Sequence, residues 1–331
     1  MKIVIASVLV FIGMNFILLL ALPASNVYLD TDLFVWAEKK RSFESNALQI
    51  DTLIIGDSQA MSGILPEALA RHGIVAYNLA VPSQQPEGME YTAREIEQRY
   101  PAVRSVVVNI SPFTLFKSEV WPAFLNYYKE TYDPGLIDVS PTRVPLSGKN
   151  AGDMIYRGLH VLPIFKFRDR LAPLIAHATP FEFAAERARR NREVGNVLDS
   201  QKGYWVWQSK DSFKCNATIE SVPPLASLKY PERPESVPGY ERLILNFKQQ
   251  SIKVTLVFIP LSDVWAGLAA PGTEGRVHQA MQRLETLGAR IVPMPARSEY
   301  SGLFHDWTHL NYCGAKKYSD WLAGQLVDQA R

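Results

Sequence analysis

Cysteine is scarce in this chain, with two residues, Cys215 and Cys313, among 331. That count excludes a disulfide-stapled scaffold and leaves two readings open: one bridge, which an exported compartment permits, or two buried thiols. Charge of one sign is lacking too, because 35 basic and 33 acidic residues leave a formal net charge of +2. No strong field exists to recruit nucleic acid or an anionic surface, so nucleic acid is not an expected partner. A disordered composition is also absent. At 47% hydrophobic the chain can bury a full core, as one large domain or one domain with an elaborate insertion.

Long apolar runs are missing except at the start. Ile3 to Leu22 carries no charged side chain and has Asn15 as its one clearly polar residue. At 1.5 Å per helical residue this run spans roughly 30 Å, the thickness of a bilayer's hydrocarbon. Lys2 precedes it and Asp30 and Asp32 follow it, which favours the N terminus inside and the rest of the chain outside the cytoplasm. A cleaved signal peptide is the competing reading, but the apolar run is long for one and Leu22-Pro23-Ala24 is a poor cleavage site. Either reading exports the domain. The expected organisation is an N-terminal membrane anchor over 1–24, a juxtamembrane segment over 25–47 and one domain over 48–331.

Beyond residue 47 short apolar runs alternate with amphipathic ones, the pattern of an α/β fold. Thr52–Ile55, Val75–Leu79, Ser105–Ile110, Lys253–Ile259 and Arg290–Val292 read as strands buried on both faces of a parallel sheet. Leu65–Arg71, Gly88–Arg99, Tyr240–Gln249, Glu274–Leu287 and Ala315–Gln329 read as helices, and Gly73, Pro101 and Gly288 close three of them. The interval at about 113–238 lacks this alternation and reads as an insertion rich in Pro, Tyr and Trp. Within it Phe181–Arg192 looks helical. Its Arg187, Arg189, Arg190 and Arg192 form either a solvated face or a polyanion contact. Trp205 and Trp207 serve either as a sugar-stacking platform or as the insertion's own small core.

Two motifs carry chemistry. In Asp51-Thr-Leu-Ile-Ile-Gly56-Asp57-Ser58-Gln59 an apolar strand ends on a glycine, which places Ser58 at the carboxyl end of a strand, where open α/β sheets bind ligands. An N-terminal cap on a tight turn is the plainer explanation of such a serine. Near the other end, in His305-Asp306-Trp307-Thr308-His309, Asp306 and His309 lie three apart in a turn. A carboxylate holding the ring N–H of His309 would fix its tautomer and steady the imidazolium formed when the other nitrogen takes a serine proton. His305, Asp306, His309 and Cys313 also form a possible ligand set, but their spacing matches no recognised zinc pattern, so neither a metal nor a cofactor is expected.

Together the motifs resemble the first and last blocks of the SGNH, or GDSL-like, hydrolase family, over about residues 50 to 112 and 240 to 330. The resemblance implies a flavodoxin-like, doubly wound parallel sheet, with Ser58 as nucleophile, His309 as general base and Asp306 as its orienter. The family's middle blocks supply oxyanion donors. Here they read Tyr77-Asn-Leu-Ala-Val-Pro-Ser-Gln84 and Val108-Asn-Ile-Ser-Pro112, which makes Ser58, Ala80, Ser83 and Asn109 the candidate donors. With the anchor and the insertion, the chain is most similar to membrane-tethered members that modify cell-envelope polymers, the teichoic-acid D-alanyl transfer and polysaccharide O-acetylation proteins. What that implies is acyl transfer to a polysaccharide or polyol hydroxyl, with a membrane-bound O-acyltransferase as partner. A catalytically silent glycan-binding or scaffold protein is the alternative from another class.

Overall fold

A computed structural model describes residues 2–24, 31–82, 84–116, 180–206, 215, 237–268 and 271–327, with some side chains inside its helices left undescribed. The chain divides into two compact units, Met1–Val35 with Asp133–Gly195, and Trp36–Tyr132 with Asn196–Arg331.

The second unit is an α/β structure built on five parallel strands: β1 (Thr52–Ile55), β2 (Ala76–Asn78), β3 (Ser105–Asn109), β4 (Lys253–Val257) and β5 (Arg290–Ile291). Their order is β2-β1-β3-β4-β5, so the direction of winding reverses between β1 and β3. The strands are the expected ones with trimmed ends. Leu53, Ile55, Val106, Val108 and Leu256 join one core with Ile96, Leu243, Ile244 and Phe247. Ile54 and Val107 point the other way and are buried as well. Both faces are therefore covered, which is why these strands are unbroken Val/Ile/Leu runs. Each such side chain contributes roughly 1.5–3 kcal/mol by leaving water.

Connecting helices are α3 (Ser58–Gly63), α4 (Pro66–Ala70), α5 (Pro86–Arg99), α6 (Pro112–Leu115), α8 (Val237–Gln249), α9 (Asp263–Leu268), α10 (Thr273–Glu285) and α11 (Tyr312–Val327). The start of α5 lies two residues before the expected Gly88, because Pro86 suits the first helical turn, where no N–H is required. The start of α11 lies three before Ala315, since the Asn311 side chain accepts from the Gly314 N–H at 2.9 Å and caps the helix.

Three expectations need amending. The stretch read as juxtamembrane contains α2 (Thr31–Asn46), whose Lys39, Ser42 and Phe43 are buried. Its helical period escaped notice because a lysine lies on the buried face. The Arg-rich segment forms α7 (Pro180–Ser200), longer than expected, and there Arg189 pairs with Glu186 and Glu193. Finally, Lys2–Ala24 is one helix, α1, yet among the described residues no helix is long and apolar enough to cross a membrane. The side chains described within it cover only 5–7 and 9–17, short of the ~20 residues a span needs. The expected transmembrane helix is thus not established by the fold.

Cys215 and Cys313 form a disulfide, with Cα atoms 5.1 Å apart across 98 positions of sequence, which decides between bridge and free thiols.

Candidate active site

Gly56 ends β1 with φ +154, and a Cβ there would lie 2.8 Å from the Asn109 Cβ and 3.0 Å from the Ala60 Cβ. Only glycine lets β1 press so closely on β3 and α3. Asp57 then caps α3, its carboxylate accepting from the Gln59 N–H at 3.0 Å. Ser58 opens that helix at the carboxyl edge of the sheet, beside the reversal between β1 and β3. Both predicted aspects of Ser58 are met, strand end and helix start, but the capping residue is Asp57.

The second half of the site is a turn closed by an antiparallel bridge between Phe304 and Leu310 and by the His305 N–H donating to the His309 carbonyl at 2.8 Å. Inside it Asp306 Oδ1 accepts from the backbone N–H groups of Thr308 and His309 at 2.7 and 2.8 Å and from the Thr308 hydroxyl at 3.0 Å. Asp306 Oδ2 lies 2.7 Å from His309 Nδ1. Burial alone would raise this carboxyl, but the bond from His309, the imidazole's charge and the backbone N–H groups outweigh it and hold Asp306 well below the usual carboxylate range.

The two halves meet. His309 Nε2 lies 2.8 Å from Ser58 Oγ. An ionised carboxylate can only accept, so Nδ1 donates to Asp306, and whenever the ring is neutral the lone pair of Nε2 faces the Ser58 hydroxyl. The turn is pinned to α3 by Gln59 Nε2 donating to the Thr308 carbonyl at 3.2 Å, and to the residue before α9 by the Ser262 hydroxyl donating to the Trp307 carbonyl at 2.7 Å. Such an arrangement can pass a proton from Ser58 to His309 while Asp306 keeps the ring in one tautomer, the chemistry of an activated serine nucleophile.

Behind Ser58 lies a buried network absent from the sequence reading. Besides the Gln59 N–H, Asp57 accepts from Asn109 Nδ2 at 3.0 Å and from the Ser111 hydroxyl at 2.6 Å. Burial pushes the Asp57 carboxyl up, opposed by those donors and by His309. Asn78, at the end of β2, donates to the carbonyls of Ala60 and Ile64, both at 2.8 Å, fastening β2 to α3. Lys39 of α2 is fully buried and donates to the carbonyls of Asn78, at 3.1 Å, and Ala80. Burial lowers its amine well below the ordinary lysine value. The Gly-Asp-Ser motif suggested a cap at Ser58, whereas Asp57 holds that place; nothing in the local sequence pointed to Lys39.

The candidate oxyanion donors fare unevenly. The Ser58 N–H has no acceptor among the described residues. The Ala80 N–H is taken by Asn78 Oδ1 at 3.1 Å. Asn109 is fully buried, and its amide is turned to Asp57, because the Asp57 carboxylate is the nearer strong acceptor. Ser83 lies outside the described residues, as does Trp207. Trp205 is 9% exposed, so most of its surface is buried, and its backbone N–H donates to the Met61 carbonyl at 3.2 Å. Cys313, considered above as a metal ligand, is committed to Cys215.

No protein-family model, curated protein or solved structure matches this chain.

Proposed function

We propose that the chain is an exported, membrane-anchored serine acyltransferase or esterase that acts through Ser58, His309 and Asp306. Its substrate is a cell-envelope polysaccharide or related polyol polymer, which it O-acylates, most simply with acetyl groups passed on by a membrane-bound O-acyltransferase. The observation that carries this reading is the continuous chain from Ser58 Oγ through both nitrogens of His309 to Asp306, at 2.8 and 2.7 Å. Three residues 251 positions apart at the extremes of the motif pair do not align in that order for packing alone.

Further support comes from the strand order β2-β1-β3-β4-β5, the flavodoxin-like order, because Ser58 follows β1 beside its switch point, where such sheets bind ligands. With it goes the SGNH-type assignment, in which the interval at about 113–238 is the insertion. Support for the anchor is that α1 exposes Leu9, Val10, Ile12, Phe16 and Ile17, while the Asn15 amide donates to the Phe11 carbonyl of its own helix at 2.9 Å. A helix with apolar side chains turned outward asks for a nonaqueous surround.

A glycan-binding or scaffold role without catalysis is favoured by one observation, the commitment of the Ala80 and Asn109 donors to other partners. A serine-directed fluorophosphonate separates the two readings. Covalent labelling of the parent, lost in Ser58→Ala, is expected; equal labelling of both proteins removes Ser58 as nucleophile.

A further inference from the structure

Gln84 stands on the same edge of the sheet, and its side chain is fully buried. Its Oε1 accepts from the Gly56 N–H at 3.3 Å, two residues before Ser58, and the Val81 N–H donates to the Gly56 carbonyl at 3.1 Å. Val81 and Gln84 are thereby both held against the glycine that precedes Asp57 and Ser58. Because the Gly56 N–H is a donor, the amide oxygen must face it, which fixes the amide's orientation. Nε2, attached to the same carbon, is left beside that turn with no hydrogen-bond partner among the described residues.

A buried NH2 group without an acceptor costs roughly 1–3 kcal/mol, so one whose amide is bonded to Gly56, two residues before Ser58, calls for an explanation. An oxyanion donor supplies one. Such a group is held ready for a charge that exists only after attack and has no ground-state partner to lose. Lys39 stiffens the approach to Gln84 by gripping the carbonyls of Asn78 and Ala80.

We propose that the Gln84 amide, together with the Ser58 N–H, forms the oxyanion hole of this site, filling the place that Ala80 and Asn109 cannot. The proposal rests on Ser58 being the nucleophile. When Ser58 Oγ attacks an acyl carbonyl, its proton passes to His309 Nε2, the new C–O bond forms, and the carbonyl electron pair becomes the oxyanion that Gln84 Nε2–H and Ser58 N–H bind. Collapse of the tetrahedral centre re-forms the carbonyl and expels the donor alcohol, which takes the proton from His309.

The test uses the full chain. In Gln84→Glu the acceptor for Gly56 is retained and the donor removed, whereas in Gln84→Met both are removed. Fluorophosphonate modification of Ser58 and turnover of an acetyl ester reporter should each fall about 10²–10³-fold in Gln84→Glu with KM nearly unchanged, the loss typical of one oxyanion donor. In the parent, the Gln84 side-chain ¹H–¹⁵N signals should move downfield when Ser58 is phosphonylated, a readout that needs no variant to fold. Unchanged Gln84 signals in the phosphonylated parent, or parental rates in folded Gln84→Glu and Gln84→Met, overturn the proposal and leave Ser58 as nucleophile. Absence of any Ser58 adduct in the parent overturns the serine mechanism itself, and this assignment with it.

Discussion

The two walls of the site are built on opposite principles. On the turn wall, Asp306 accepts from two backbone N–H groups, the Thr308 hydroxyl and the His309 ring, so the base is complete before any substrate arrives. On the strand wall, donors are either committed elsewhere, as at Ala80 and Asn109, or left without a partner among the described residues, as at Gln84 Nε2. A proton acceptor must be oriented in the ground state, whereas an oxyanion donor is needed only once charge develops. The contrast is what the proposed acyl transfer would require: one wall satisfied, the other waiting.

The largest expected effects break the finished wall. Ser58→Ala and His309→Ala should each remove nearly all ester turnover, and the double variant should lose little more, because both disable one proton transfer. Asp306→Asn leaves the ring free to take the wrong tautomer and should cost about four orders of magnitude in turnover, as in the serine-protease triad used as a template. Purified variants assayed beside a thermal melt check this. A folded His309→Ala protein with near-parental turnover would leave the ordered turn without a catalytic purpose.

A second prediction concerns how that wall is held to the rest of the chain. Cys313 lies four residues beyond His309, and Asn311 Nδ2 donates to the Cys215 carbonyl at 3.2 Å, so the bridge fastens distant sequence to the base of α11. Closing a loop of 98 positions is worth up to about 4.7 kcal/mol in the chain-entropy account. Reduction, or the Cys215→Ser and Cys313→Ser pair, should lower the denaturation midpoint by several kcal/mol equivalent. The Ser58–His309–Asp306 contacts are internal to the turn and α3, so folded reduced protein should keep most of its turnover. Turnover that vanishes before any loss of folded signal would make the bridge part of the site.

How much of this was readable in the sequence follows the same divide. Ser58, Asp306 and His309 were legible because short-range rules place them: a strand ending on glycine, and an Asp and a His three apart in a turn. The strands were legible because two buried faces demand unbroken apolar runs. Lys39 and Gln84 were not, because their contacts arise from α2 folding against the end of β2 and from Gln84 meeting Gly56, pairings that no local pattern encodes. Asn109 misled for the same reason. An amide at a strand end can face the substrate or its own neighbour, and the buried Asp57 carboxylate decided that it faces inward.

The smallest expected effect sharpens the strand wall through Lys39. Its amine is fully buried and meets two carbonyls, those of Asn78 and Ala80. Two acceptors suit the two N–H bonds of a neutral amine, in keeping with the lowered proton affinity that burial imposes. In the unfolded chain Lys39 returns to its ordinary value of 10.5. Between the lowered value and 10.5 the unfolded state therefore binds more protons than the folded state, and stability must rise with pH across that window. One proton corresponds to about 1.4 kcal/mol per pH unit. Tyr77, Tyr204 and Tyr318 are raised by burial and act in the opposite direction, but only above their ordinary value of 10.0. Urea denaturation of the parent and of Lys39→Met, followed upward from pH 7 to the 10.0 at which the tyrosines begin to act, isolates the lysine. The parent's stability should climb relative to that of the variant, by at most that slope, as pH increases. Parallel curves would mean that Lys39 keeps its charge in the fold, and the strand wall would then be held by a buried cation instead of a neutral amine.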